Sequence, residues 1–493
     1  MPRPGRWLLR LLLLFAVLVA AAIAVAPFIP LAPLKPAVES RLTATLGRPV
    51  SVGSVRLSLA GGPYLVIEAM TAKEDPAFGD GNFLEADQVR ANLAVLPFAL
   101  RRQIVIEALD LKSPRFTFVK NADGAWSWTT IGRARAAAGV AGRLEEFTRQ
   151  AAIVLIAADA SVDSINIESA SVRLIDRSGT EPPETLYRNV ALRADLMPQG
   201  QSRQVRGELR AQSEETDGAE ILKTDMPFDL VVTRAAPQKL TVQGSIGPGP
   251  LETKNLIASS FKSSLDLSED RLALDQMDLS LYDGNLTGRM EIDMRSRRFT
   301  AEGRVTNLNL DQAIGSKLQM PGQITGHVDA EFKLGGELRS FQETVPTLSG
   351  SGRLASGEMF IASANLSEQV ARALRINGIG NMSAGTNVGS LQSDFQISNG
   401  ELMTANLTIQ QLDGLGEAKS DQGWLKVASP PSLNYTATVL LTPDATAQVK
   451  KSSPLIGMAV SILEVNNRVA VPVSVRGEVR NPEVQVDVTR IFR

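Results

Sequence analysis

Residues 279–310, LSLYDGNLTGRMEIDMRSRRFTAEGRVTNLNL, decide the fold. Met277, Leu279 and Leu281 share one face ahead of Asp283-Gly284, and Leu286, Met290, Ile292 and Met294 share one after it. Phe299, Ala301 and Val305 open the next strand. Apolar side chains at every second position belong to a strand with one buried face, and a tight-turn dipeptide between two such runs belongs to a hairpin. The stretch therefore reads as an antiparallel meander, strand and tight turn repeating every ~10–14 residues.

The same alternation extends in both directions. Towards the N-terminus, Ile165 and Ile167 are followed by Ala170, Val172 and Leu174. Earlier still, Val89, Ala91, Leu93 and Val95 alternate, and VSVGSVRLSL from Val50 slips by one residue at Gly53-Ser54, the signature of a bulge. Asp123-Gly124 marks a hairpin. Towards the C-terminus, Asn399-Gly400 and Asp413-Gly414 are turns. In the last hairpin, Val469, Val471, Val473 and Val475 alternate before Asn481-Pro482, and Val484, Val486 and Val488 alternate after it. Three stretches break the period of two. LKPAVESRLTATLGRPV carries Leu34, Val38, Leu42 and Leu46 on one helical face, with Gly47 as its stop. Residues 133–160 are alanine-rich and read as a helix or a mobile crossover. The insert at 360–380 has Ser363 or Asn365 as cap, Leu366, Val370 and Leu374 on one face, and Gly378 as stop.

The first thirty residues have a different logic. No charged or strongly polar side chain stands between Leu11 and Ala26, and with Leu8, Leu9 and Arg10 the run reaches the ~20 residues a membrane span needs. Leu8, Leu11, Leu14, Phe15, Leu18 and Ile23 would face the hydrocarbon. Arg3, Arg6 and Arg10 crowd the front edge, which orients the N-terminus to the cytoplasm and exports the rest. Ala24-Val25-Ala26 resembles a signal-peptide cleavage site, but the apolar run is long for one and Pro27 would follow the scissile bond. An uncleaved single-pass anchor is the favoured reading.

Composition excludes several functions. With 51 basic and 53 acidic residues there is no field to attract nucleic acid. The 493-residue chain has no cysteine, so disulfides and thiolate metal sites are ruled out. Its single histidine, His327, sits at an alternating strand position without the partners of a catalytic triad or zinc site. No acid–base or nucleophilic constellation is visible, and the chain reads as no enzyme with no cofactor and no metal. Gly350, Gly352 and Gly357 have the wrong spacing for a phosphate loop and read as strand turns. Trp126 and Trp128 read as buried bodies in preference to membrane-interface anchors, and Arg101-Arg102 as a solvated turn.

An apolar sheet face of this extent needs a cover. Two or three helical segments cannot supply it, which leaves a second sheet or an open trough floored with apolar side chains and covered by lipid. Aromatics make up only 5% of the chain and glycines are many, which favours the curved trough over an interlocked sandwich core. Candidate floor residues are Val89, Leu93, Leu279, Leu281, Met290, Ile292, Val471, Val473, Val475, Val484 and Val486.

After the anchor come RLTATLGRPVSVGSVRLSL and DPAFGDGNFLEADQVRANLAVLPFALRRQIVIEALDLKSPRFTFVKNADGAWSW. Through these three the N-terminal block resembles the AsmA family of envelope proteins. The end region is similar through GSGRLASGEMFIASANL, LQSDFQISNGELMTANLTIQ and VPVSVRGEVRNPEVQVDVTRIF. The resemblance covers roughly 1–130 and 345–493. It implies a mainly β protein: one N-terminal transmembrane helix, then an elongated antiparallel meander curled into an open groove, with a few short helices. The segments would be 1–35 (anchor and proline exit), 36–132 (N-terminal β region), 133–160 (crossover), 161–345 (central meander) and 346–493 (C-terminal β region). It also implies an inner-membrane protein with its bulk in the periplasm, taking part in outer-membrane biogenesis and conducting phospholipid as cargo along the groove. About 25 strands at ~4.8 Å would reach about 120 Å, which leaves room for an envelope protein at the distal end. The alternative is a non-enzymatic assembly factor or scaffold for outer-membrane proteins, binding through sheet edges or the concave face.

Overall fold

The computed structural model describes residues 34–486 apart from 59–62, 95–105, 123–125, 132–161, 178–183, 200–201, 217–218, 237–238, 254–255, 269–270, 295, 316–321, 339–343, 363–364, 366–367, 370–371, 373–384, 427–430, 453–463 and 480. The anchor residues Leu8, Leu11, Leu14, Phe15, Leu18 and Ile23, the crossover at 133–160 and the Arg101-Arg102 pair lie outside the described residues. Among the described residues no helix is long and apolar enough to cross a membrane. The chain divides into two compact units, residues 1–256 with 264–270, and residues 257–263 with 271–493.

The first unit opens with helix α1 (Leu34–Leu46). Gly47 ends it in the left-handed region, φ 68°, its N–H donating to the Thr43 carbonyl at 2.9 Å. The strands that follow are β1 (Val50–Ser51), β2 (Ser54–Ser58), β3 (Tyr64–Lys73), β4 (Asn82–Leu93), β5 (Ile106–Lys112), β6 (Arg115–Lys120), β7 (Ser164–Asp176), β8 (Glu184–Gln199), β9 (Ser202–Ser213), β10 (Leu222–Ala236) and β11 (Lys239–Thr253). β1 and β2 are two pieces of one strand against β3. The bulge at Gly53 joins them, its N–H donating to Glu68 O at 2.8 Å opposite Ala69 at φ 52°.

The expectation of an antiparallel order throughout needs one correction. β5 and β6 are collinear pieces, bent at Ser113 (φ 47°), and both pair in parallel with β7. Parallel neighbours need a crossover, and the chain between Lys120 and Ser164 is long enough to supply it. From β7 to β11 each strand is antiparallel to the next.

β12 (Ile257–Leu267) is divided between the units. The second unit continues with β13 (Arg271–Leu281), β14 (Gly284–Asp293), β15 (Arg298–Asn309), β16 (Ile324–Glu337), β17 (Ser349–Ile361), β18 (Thr386–Ser398), β19 (Glu401–Leu412), β20 (Gly416–Lys426), β21 (Ser432–Leu441), helix α2 (Pro443–Ser452), β22 (Glu464–Val465), β23 (Arg468–Glu478) and β24 (Asn481–Val486). β13 to β21 pair antiparallel in chain order, β21 pairs with β23, and β23 with β22 and β24.

Three of its hairpins use two-residue turns with both residues at positive φ, the mirror-image geometry that matches strand twist, whereas Leu412 pairs with Gly416 across a three-residue turn that opens with Asp413-Gly414. Asn399-Gly400 (φ 52° and 74°) is such a turn, as expected, and so is Asn466-Asn467 (52° and 64°). In the opening stretch the turn is Tyr282-Asp283 (49° and 59°), one residue earlier than Asp283-Gly284, because Leu281 pairs with Gly284. The last turn likewise lies between Glu478 and Asn481, ahead of Asn481-Pro482. Of the helical insert, Asn365 is seen as the cap, its Oδ1 accepting the Glu368 N–H at 3.1 Å.

Candidate functional site

Antiparallel register places facing residues on the same side of a sheet, so rows can be read across strands. In the second unit one row is Leu274, Met290, Ala301, Leu334, Gly350, Ile397, Leu402, Leu425 and Leu433. Beside it on the same face runs Met277, Gly288, Gly303, Phe332, Gly352, Phe395, Thr404, Gly423 and Tyr435. A third is Leu279, Leu286, Val305, Ala330, Leu354 and Ser393. The middle row is packed by rings lying on bare backbone. A Cβ on Gly352 would run into the Phe395 ring and the Glu331 carbonyl, and one on Gly423 into the Tyr435 ring. Gly350 and Gly352 thus lie inside β17, where close approach and not a strand turn explains them.

Burial along this face is uneven. β14, β15 and β16 contain no buried residue, and β17 contains only Ser356. Their apolar side chains, Met290, Ile292, Phe299, Val305, Phe332, Leu334 and Leu354 among them, are half-exposed. Leu272, Leu274 and Leu279 of β13 are buried, and so is Phe395 of β18. At the far end Val388, Leu412, Leu441, Val469, Val471 and Val473 form a closed core with Ala445 and Val449 of α2.

The expected floor residues therefore separate. Leu279, Leu281, Met290 and Ile292 share the face that is open at β14, where Met290 and Ile292 are half-exposed. Val471 and Val473 are covered by protein, and Val475, Val484 and Val486 pack partly buried against that core. Val89 and Leu93 are buried in the first unit.

The opposite face of the second unit is a ladder of ion pairs. Arg289 meets Glu302 at 2.6 Å, Lys333 the same carboxylate at 3.3 Å, and Arg353 meets Asp394 at 3.0 Å; Arg304 pairs with Glu331. Lys333 and Arg289 hold the Glu302 carboxyl below its usual range, and Arg353 with Asn406 does so for Asp394. A furrow of about 1490 Å³ crosses β13 to β21 and is lined by these charged side chains, with Met403 and Trp424 at one end. Its lining comes mainly from the charged face and also takes Phe332, Phe395, Thr404 and the glycines of the middle row, while Met290, Leu334 and Leu354 are not part of it. His327 is exposed on β16 opposite Asn309, where the register shifts.

A second cluster gathers the motif residues of the first unit. Arg48, directly after α1, is 1% exposed and meets Glu74 at 2.6 Å. It also donates to the Ser127 carbonyl and, at 3.0 Å, to Thr130 Oγ1. Its guanidinium lies 4.3 Å from the centre of the Phe83 ring. Phe83 stands edge-on to Phe118 at 5.5 Å, Phe118 to Trp128 at 5.2 Å, and Trp128 stacks on Trp126 at 4.4 Å. Burial pushes the Glu74 carboxyl up and the Arg48 guanidinium down, and their attraction opposes both. Trp126 and Trp128 are buried, as bodies in a core. The knot ties the end of α1 to β4, β6 and the turn at 127–130. No period in the sequence announces the Arg48–Glu74 pair, since its partners are 26 positions apart.

Residues 1–181 match the AsmA family. The match covers every member of this knot and does not reach 345–493. No curated protein matches the chain, and no solved structure does.

Proposed function

From the premise that the chain is an AsmA family member over residues 1–181, we propose that it is a non-enzymatic envelope protein that carries phospholipid on the apolar face of its second unit. Residues 1–35 anchor it in the inner membrane, the bulk lies in the periplasm, and its work belongs to outer-membrane biogenesis. The observation that carries the reading is the face of β14–β17, whose apolar side chains are all half-exposed, while on the strands that flank it Leu272, Leu274, Leu279 and Phe395 are buried. Acyl chains laid on it would be stabilised by ~25 cal/mol per Å² of apolar surface withdrawn from water. Head groups would stay in solvent, and no chemistry is required of the protein. The charged furrow favours a second reading, a scaffold that holds a protein client on that side.

Photo-crosslinking in cells separates the two. A benzophenone side chain at Met290 is expected to give phospholipid adducts by mass spectrometry, and one at Arg289, on the opposite face, none. Protein adducts at Arg289 with no lipid at Met290 would overturn the lipid reading in favour of the scaffold.

A further inference from the structure

We infer that the apolar face of the second unit is a bounded seat for a diacyl ester lipid, and that Ser356 meets the lipid's ester oxygen at one end of it. The inference rests on the lipid reading above and adds where the lipid stops and which lipids are held. The seat has definable edges. Buried Leu272, Leu274 and Leu279 close its outer rows on the β13 side, where Met277 of the middle row is half-exposed, and buried Phe395 closes its middle on the β18 side. Beyond Phe395, Leu391 and Ile409 pack partly buried against the far-end core, and Leu407, Tyr435 and the row Ile397, Leu402, Leu425 and Leu433, beside the Asn399-Gly400 turn, stay half-exposed. Four strands at ~4.8 Å make the seat about 19 Å across, and from Leu286 to Ile292 at ~3.4 Å per residue it is about 20 Å long. One leaflet of a ~30 Å hydrocarbon core is ~15 Å thick, so the seat is about one acyl chain in extent. It takes a single layer of no more than two diacyl lipids and no file of them.

The chemistry of the seat selects its occupant. On the three rows, β14 to β17 contribute Leu286, Gly288, Met290, Ala301, Gly303, Val305, Ala330, Phe332, Leu334, Gly350, Gly352 and Leu354, without one polar side chain. Strand backbone in mid-sheet is spent on its neighbours. A protein interface carries about one hydrogen bond per 100–200 Å², and this face has none to give. The exception stands at its end. Ser356, next on the same face after Leu354, is 8% exposed and its hydroxyl has no hydrogen-bond partner. Buried hydroxyls are normally paired, and an acceptor arriving with the acyl chain would pair this one. Ester carbonyls stand where an acyl chain meets its head group, which puts the head end of the lipid at Ser356 and the methyl end towards Ile292 and Phe299.

Two measurements on the full-length chain in detergent test this. Benzophenone at Met290 and Leu334 is expected to capture lipid, and benzophenone at Val439 and Val473 to capture none. Native mass spectrometry is expected to saturate at one or two phospholipids. Adducts at Val439 or Val473, or a larger stoichiometry, would overturn the bounded seat and leave lipid carriage standing. No lipid at Met290 or Leu334 would overturn both. For Ser356, retention of a diester phosphatidylethanolamine is compared with its diether analogue. The wild type is expected to hold the diester ~2- to 10-fold better, the worth of one hydrogen bond, and Ser356→Ala to abolish that preference while still binding the diether lipid. Equal retention of the two lipids by the wild type, or a preference that survives Ser356→Ala, would overturn the role of Ser356.

Discussion

Two rows of side chains, one in each unit, look alike in sequence and differ in their surroundings. Val55, Ile67, Val89, Leu111, Ile167, Leu192, Leu209 and Met226 cross the first unit in direct register. All but Leu111 are buried. Leu274, Met290, Ala301, Leu334, Gly350, Ile397, Leu402, Leu425 and Leu433 cross the second, and all after Leu274 are half-exposed. The alternation that creates an apolar face is the same in both, because period two fixes only which side a residue takes. What lies over that face is decided elsewhere in the chain. In the first unit large aromatics and the Arg48–Glu74 pair accompany a closed interior. In the second, rings folded down onto glycines leave the face smooth and open between β13 and β18.

The largest effect should come from the closed side. Arg48→Ala strands Glu74 at 5% exposure without its cation, and breaking a buried pair costs about 3–5 kcal/mol. Urea denaturation followed by tryptophan fluorescence should show the loss. The double variant Arg48→Met with Glu74→Leu should recover most of it, since two apolar groups leave no orphaned charge. A contrasting pair comes next. Leu192→Ala, at 3% exposure, should cost about 2–5 kcal/mol, whereas Leu334→Ala, half-exposed, should cost about 1 kcal/mol or less. Equal costs would mean that the second face is as closed as the first. Gly352→Ala should be intermediate, about 1–3 kcal/mol, because the new methyl meets the Glu331 carbonyl and the Phe395 ring.

The smallest effect is electrostatic. Glu302 and Asp394 are held below their ordinary values of 4.5 and 3.8 by their cationic neighbours, so their contribution is complete above those values and is lost as pH falls through the lowered ones. An acid titration of stability should show a shallow decline below about pH 4, weaker in high salt because these pairs are exposed.

Most of the strand pattern could be read in advance, since Leu286, Met290 and Ile292 or Val469, Val471 and Val473 declare their faces by spacing alone. Turn positions were readable to within one or two residues. Asp283-Gly284 carries the composition of a hairpin turn, yet the register that pairs Leu281 with Gly284 places positive φ on Tyr282 and Asp283. Coverage was not readable. PDATAQVKKS looks like a polar linker, but Ala445 and Val449 of α2 lie in the core that takes Val471 and Val473 away from any lipid. The Arg48–Glu74 contact and the parallel pairing of β7 depend on long-range return of the chain, and local periodicity carries no trace of either.

That parallel pairing has a consequence for how the protein forms. Hairpins joined by two-residue turns, such as Tyr282-Asp283 and Asn399-Gly400, bring their strands together with little loop entropy, on the order of 1–10 μs. β7 has no such help. It must find β5 and β6 after the whole stretch from Lys120 to Ser164 has closed on itself, and until it does, β5 and β6 offer a bare edge. Non-local pairing of this kind slows folding, so β13 to β21 can assemble sequentially while the first unit waits on one closure. For a chain made N-terminus first, the part that emerges earliest is the part that finishes late, and β5–β7 is where a chaperone or a stray strand would catch it.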